Sequence, residues 1–457
     1  MGRKVTRLAL AIGLAAGALA FPAAASATVA CDFDSPTRVL SATSSDPDET
    51  LILTRDHAQI KVLERDSGGV TCSGGIPSIT NTDIIVLAFT GSGASFGPWL
   101  NLANGPLAPG FTDEPGNSDE IEILIADFDQ GPFINHIGFT SPESIRLGTA
   151  GINLNVLEEA GVGDPSDADV GAESFANTAV STAGGDDVVD AGGGAGTGGI
   201  APYDVSIDGG PGDDDLLGGA GRDLIEAGAG SDFVFAGPGD DFVAGDPLID
   251  PASAGDDTLA GGTGIDEVIY TNAPGGVRVN LAKTAAQDTG AEGTDRLSGF
   301  EGVKGSLHAD VLIGTADDNT LDGDHGNDVL QGRGGDDELR GDAGVDTASY
   351  AAGGGAVTVD LRVVAAQSTG GAGTDLLTGV ERLIGSPFAD RLIGNGAPNV
   401  ITGLAGRDVL AGGGAADRLR IRDGGRDVAR CGGGPDSVQA DGPGIDLISA
   451  DCETLLP

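Results

Sequence analysis

Gly209-Gly210-Pro211-Gly212-Asp213-Asp214-Asp215-Leu216-Leu217 opens a nine-residue phrase that returns without a gap at 218–226, 227–235 and 236–244. The phrase is G-G-x-G-x-D-x-U-x, with U a large aliphatic residue. A strict nonapeptide period specifies a solenoid in which neighbouring coils bury a shared core. The glycines let the first six residues turn tightly. The last three form a short strand whose side chains alternate between faces. Leu216, Ile225, Val234 and Val243, all at position eight, are therefore expected to point inward and build a thin core.

The aspartate at position six does different work. Two nonapeptides make one coil, so each repeat stacks on the next but one, about 4.8 Å away. Asp214 is then expected near Asp232, and Asp223 near Asp241. Two bare carboxylates at that spacing repel by roughly 0.9 kcal/mol even at the dielectric constant of water. A divalent cation between them converts that cost into a bond. Turn carbonyls add hard oxygen donors, and a flexible cage of six to eight oxygens suits calcium better than magnesium.

These repeats resemble those of the RTX, or haemolysin-type calcium-binding, proteins, over about 182–449. The resemblance implies an all-β, right-handed parallel β-roll or β-helix solenoid that binds Ca²⁺ through the position-six carboxylates and turn carbonyls. Carried over position by position, the implied ligands are Asp187, Asp214, Asp223, Asp232, Asp241, Asp257, Asp266, Asp295, Asp310, Asp328, Asp337, Asp346, Asp375, Asp390, Asp408 and Asp417. The register continues less regularly to Asp427, Asp436 and Asp446. Some repeats depart from the phrase: Asn319 and Asn399 replace the aspartate, bringing no charge. Leu307-His308 and Pro387-Phe388 stand where glycines belong, before Asp310 and Asp390. Arg422, Arg426 and Arg430 crowd the last aspartates and are expected to compete with a cation. Filled sites are thus expected to concentrate at 209–244 and 323–349.

A longer period overlies the short one. Asp266 and Tyr270 return as Asp346 and Tyr350, Val279 as Val359, and Asp295 as Asp375, each displaced by 350 − 270 = 80 residues. The two units are 266–345 and 346–425. Each passes through a glycine-poor excursion, 270–289 or 350–369, read as a wider coil of the same solenoid.

Residues 1–27 are expected to be a secretory signal peptide. Arg3, Lys4 and Arg7 precede an apolar run at 8–20, and Ala25-Ser26-Ala27 offers a cleavage site. No later stretch approaches the length of a membrane span. The expectation is a secreted, extracellular chain, free or held at the cell surface, with Thr28-Val29-Ala30-Cys31 only loosely resembling a lipobox. Four cysteines in an exported chain suggest two disulfides, and proximity favours Cys31–Cys72 and Cys431–Cys452, the second capping the C-terminal end of a solenoid spanning 181–457. Seventy acidic against 24 basic residues leave a net charge of −46, which argues against nucleic acid as a partner. Self-repulsion on that scale also predicts that folding is linked to cation binding.

Residues 28–180 lack the phrase but are strand-like at 51–53, 60–63, 84–89 and 121–125. Two readings stay open, a degenerate lead-in to the solenoid and a small separate β domain. Gly93-Ala94-Ser95-Phe96-Gly97 matches a nucleophile elbow, yet Gly97-Pro98 stands where that turn needs a helix. No catalytic residue is assigned, and the chain is read as not an enzyme. A polysaccharide lyase or epimerase would want basic residues clustered with acids, and after residue 27 the only lysines are Lys61, Lys283 and Lys304. The leading expectation is a structural, cell-surface or matrix module with calcium as ligand. An adhesin recognising glycan or protein through the excursions is the alternative.

Overall fold

The computed structural model of the chain describes residues 185–192, 200–247, 254–441 and 444–456, and the backbone of short strand segments between 30 and 182. Among the described residues every regular element is a strand, and no helix is long and apolar enough to cross a membrane. Residues 1–27, Cys72 and the 93–97 motif lie outside the described residues, so those expectations find no structural counterpart here.

The repeats build two parallel sheets that face each other across one line of core residues. On one sheet Asp215–Leu217 pairs with Phe233–Pro238, Leu216 opposite Val234. On the other, Leu224–Glu226 pairs with Phe242–Ala244, Ile225 opposite Val243. Partners are 18 residues apart, so two nonapeptides do form one coil. All four position-eight side chains are completely buried, while Leu224 and Phe233 at position seven stay exposed. The same two sheets receive the earlier strand segments: Val39–Ser44 pairs with Ile84–Phe89 and that with Glu122–Ala126, all parallel. On the opposite side Asn135–Ile137 leads through Asn177–Ser181 to Asp204–Asp208.

The excursions are not wider coils of an unchanged solenoid. Each ends one sheet and begins another. Gln287–Gly290 folds back antiparallel on Gly293–Ser298 and closes the first sheet. Arg278–Asn280 meanwhile starts a third sheet, which runs through Val311–Ile313, Val329–Gln331 and Thr347–Ser349 toward the C-terminus. Eighty residues later the event repeats on the other side. Gln367–Gly370 closes the second sheet against Gly373–Thr378, and Thr358–Asp360 opens a fourth. The physical reason is in the side chains. Val277 and Val279 are buried while Arg278 is exposed, so the alternating strand caps the core as a fresh face.

Cys431 and Cys452 form a disulfide near the C-terminal end, where Ser437–Gln439 pairs with Thr454–Leu456.

Candidate metal centre

Each position-six aspartate closes a turn and precedes a strand, and its carboxylate is buried against the coil before it. One oxygen of that carboxylate is used by the backbone. The Asp187 N–H donates to Asp214 Oδ1 at 2.7 Å, the Asp214 N–H to Asp232 Oδ1 at 2.8 Å, and the Asp232 N–H to Asp257 Oδ1 at 2.9 Å. On the opposite edge the Asp223 N–H donates to Asp241 Oδ1 and the Asp241 N–H to Asp266 Oδ1. The ladder resumes at 310, 328 and 346, and again at 390, 408 and 427. Stacked aspartates are therefore joined by a hydrogen bond through one oxygen, and only the second oxygen is left to a cation.

That second oxygen separates the repeats into two kinds. The Oδ2 atoms of Asp214, Asp232, Asp241, Asp257, Asp266, Asp328, Asp346, Asp408, Asp417, Asp427 and Asp436 are buried and meet no hydrogen-bond donor. Burying such an oxygen without a partner costs about 1–3 kcal/mol each. The first glycine of a repeat keeps the space beside it open: a Cβ on Gly209 would stand 2.6 Å from Asp214 Oδ2. These positions fit a hard cation.

The other kind is completed by the chain. Tyr350 Oη and Thr369 Oγ1 each donate to Asp375 Oδ2 at 3.0 Å, and Tyr270 and Thr289 serve Asp295 alike. Ser306 donates its N–H to Asp310 Oδ2 at 2.6 Å and its hydroxyl to Asp310 Oδ1; Ser386 does the same for Asp390. Asn319 and Asn399 use their amides, giving Nδ2–H to the carbonyls of Glu301 and Glu381 and accepting at Oδ1 from Thr315 and Asn395 N–H. Asp223 is intermediate, with Oδ2 accepting the Gly219 N–H at 2.6 Å.

Burial dominates the acidity of the whole row. It pushes Asp214, Asp223, Asp232, Asp328, Asp337 and Asp408 up to about 7, and Asp257 to about 8. Asp266, Asp295, Asp417 and Asp427 rise to about 6. Desolvation is the main cause in each, opposed by the donated backbone N–H groups, with neighbouring carboxylates adding to the rise for most. Asp241, Asp310, Asp346, Asp375 and Asp390 shift in the same direction for the same reason.

Sequence reasoning missed several participants. Glu301 and Glu381 stand in for a position-six aspartate, each accepting an N–H through Oε2, from Asp266 and Asp346 respectively. Position five carries a second, exposed ladder of opposite sense, in which Asp213 Oδ1 accepts the Ser231 N–H and Asp336 Oδ1 the Thr374 N–H. Its signal was visible, because Asp or Asn recurs at position five. Near the C-terminus, carboxylate oxygens of Asp408, Asp423 and Asp427 all lie within 4.8 Å of one another. The arginines expected to crowd this region do not. Arg422, Arg426 and Arg430 are exposed, and the charged neighbours that push Asp427 up are Asp423, Asp446 and Asp441. Unpartnered oxygens also extend past the two stretches expected to hold most of the metal.

The RTX calcium-binding nonapeptide repeat matches residues 208–243, 252–269, 305–339, 313–348, 326–354 and 384–419. The matches stop across 270–304 and 355–383, where one sheet gives way to the next. No curated protein matches the chain. The repeats are thus calcium-binding nonapeptides, folded as a parallel β-roll.

Proposed function

We propose that this chain is an exported calcium-binding β-roll that acts as a structural module at the cell surface or in an extracellular matrix, and that Ca²⁺ completes its fold. The supporting observation is the row of buried carboxylate oxygens without donors, carried by Asp214, Asp232 and Asp257 on one edge and by Asp241 and Asp266 on the other. The same role falls to Asp328 and Asp346, and to Asp408, Asp417, Asp427 and Asp436. Bound calcium would supply positive charge and an oxygen-hungry coordination shell at each step. The chain does the rest: it fixes one carboxylate oxygen with an N–H and aims the other into the turn. Asp295, Asp310, Asp375 and Asp390 hold the same register, but hydroxyl and N–H donors already occupy their second oxygens.

The excursions support a structural task. They bury Tyr270 and Tyr350 to serve Asp295 and Asp375, and they start new sheets. The net charge of −46 makes a cation-rich environment the natural setting. A calcium titration of the purified chain, followed by circular dichroism, sedimentation and metal counting, tests the reading. The expected outcome is a compact, strand-rich molecule with calcium and an expanded one in EDTA. A chain equally compact in EDTA and carrying no metal would sink it.

A further inference from the structure

One step of the ladder differs from all others by a single extra residue. Strand pairing advances by 18 residues at Val400↔Arg418, but by 19 at Val409↔Val428. The additional residue lies in the turn before Asp427. The Gly403 N–H still donates to the Arg420 carbonyl in the 18-residue register, while Gly425 already backs onto the Gly406 carbonyl in the 19-residue one. In the preceding coil the second turn residue, Leu404, takes the left-handed conformation (φ 65°); in the longer turn Gly424 does so (φ 90°). The displaced residue is Asp423. Its Oδ1 accepts the Gly425 N–H, and its carboxylate comes within 4.8 Å of those of Asp408 and Asp427.

Asp408 and Asp427 are both fully buried, and the Oδ2 of each meets no donor. The Asp408 N–H takes Asp427 Oδ1, so the two unpartnered oxygens are what the pair has left to offer. A third carboxylate approaching them deepens a deficit that only positive charge relieves. The corresponding turn of the first long unit, before Asp346, is an internal comparison. It has the ordinary length, with Val329↔Thr347 18 residues apart. Its second residue, Asp342, takes φ 55° and is exposed. Among the described residues, only Asp408, Asp423 and Asp427 bring three acidic ligands this close together.

We propose that Asp408, Asp423 and Asp427 form a three-carboxylate calcium site that fills before the two-carboxylate steps of the roll. This deepens the calcium reading above and rests on it. Affinity in oxygen-donor sites follows the charge and number of the ligands. Asp423 therefore sets the order of filling, and the exposed side of the turn gives the ion its route in.

The test is a calcium titration of the full chain and of Asp423→Asn, read by calorimetry and by hydrogen exchange at one equivalent of Ca²⁺. In the wild-type chain, protection at one equivalent should appear first in peptides covering 408–428. In Asp423→Asn the tightest binding class should weaken by about tenfold, with the total bound at saturation reduced by no more than one ion. Asp342→Asn removes an exposed charge at the matching turn and should leave the first class unchanged. Because Asp423 is exposed, circular dichroism at saturating calcium should be the same for all three proteins. First-class binding unaltered by Asp423→Asn, or weakened equally by Asp342→Asn, overturns the proposal while leaving the roll intact. A wild-type chain that binds no calcium overturns the proposal and the calcium reading together.

Discussion

The coils at 209–269 and the segments around Asp295 and Asp375 carry the same aspartate in the same register, and they finish it in different ways. In the first, Asp214, Asp232, Asp241 and Asp257 each keep one buried oxygen without a donor. In the second, a tyrosine and a threonine hydroxyl close that oxygen off. A position-six aspartate is therefore not yet a metal site. It becomes one when its second oxygen is left for an ion, and it becomes an ordinary buried hydrogen-bond acceptor when a hydroxyl arrives. The roll alternates between stretches that depend on a cation and stretches that supply their own donors.

Chelation should expose this contrast most strongly. Eleven unpartnered oxygens among the described residues, at about 1–3 kcal/mol each, exceed the 5–15 kcal/mol that usually holds a domain together. In EDTA at neutral pH, amide exchange should rise steeply across 209–269. Peptides covering 289–322 and 369–402 should be the last to lose protection. Uniform loss over the whole roll would break the comparison.

The pH dependence should invert with metal. The folded-state acidities of Asp214, Asp232, Asp328 and Asp408 sit near 7, against an ordinary value of 3.8. A carboxyl raised on folding holds its proton more tightly when folded. Its contribution to stability is complete below about pH 4 and is lost as pH rises through about 7. In EDTA the melting temperature should fall from pH 4 to pH 8. With saturating calcium, which binds only the ionised carboxylates, it should rise over the same window. Parallel profiles in the two conditions would remove the link between burial and metal.

Two substitutions sharpen the boundary between the kinds of repeat. Asn319→Asp exchanges the amide that donates to the Glu301 carbonyl for a second acceptor. It should destabilise the chain by roughly 1–3 kcal/mol in EDTA, and calcium should recover that loss with one more ion bound. Tyr350→Phe removes one of the two hydroxyls on Asp375. Its smaller cost, about 1 kcal/mol, should be the same with and without calcium, because Thr369 still donates and the metal count does not change. Denaturant titrations paired with metal analysis check both.

The parts of this chain that were legible follow from its period. Nine residues, doubled, define the coil, and the observed 18-residue pairing follows from that number. Leu216 and Asp214 could be assigned inward and turn positions because the pattern is local. The partners of the aspartates were not legible. Tyr270 reaches Asp295 across 25 residues and Glu301 serves Asp266 across 35, distances along the chain that no nonapeptide register encodes. The excursions were visible as a duplication, but their role was not. Whether an alternating strand widens a coil or opens a new sheet depends on which neighbouring edge is free to pair.

By itself, then, the amino-acid sequence determined the roll, its core and the placement of a carboxylate at every turn, because steric freedom at glycine and alternation along a strand act within a few residues. The tertiary structure alone decided which of those carboxylates want an ion. That outcome depends on whether stacking brings a donor to the second oxygen, as at Asp375, or brings another acid, as at Asp408.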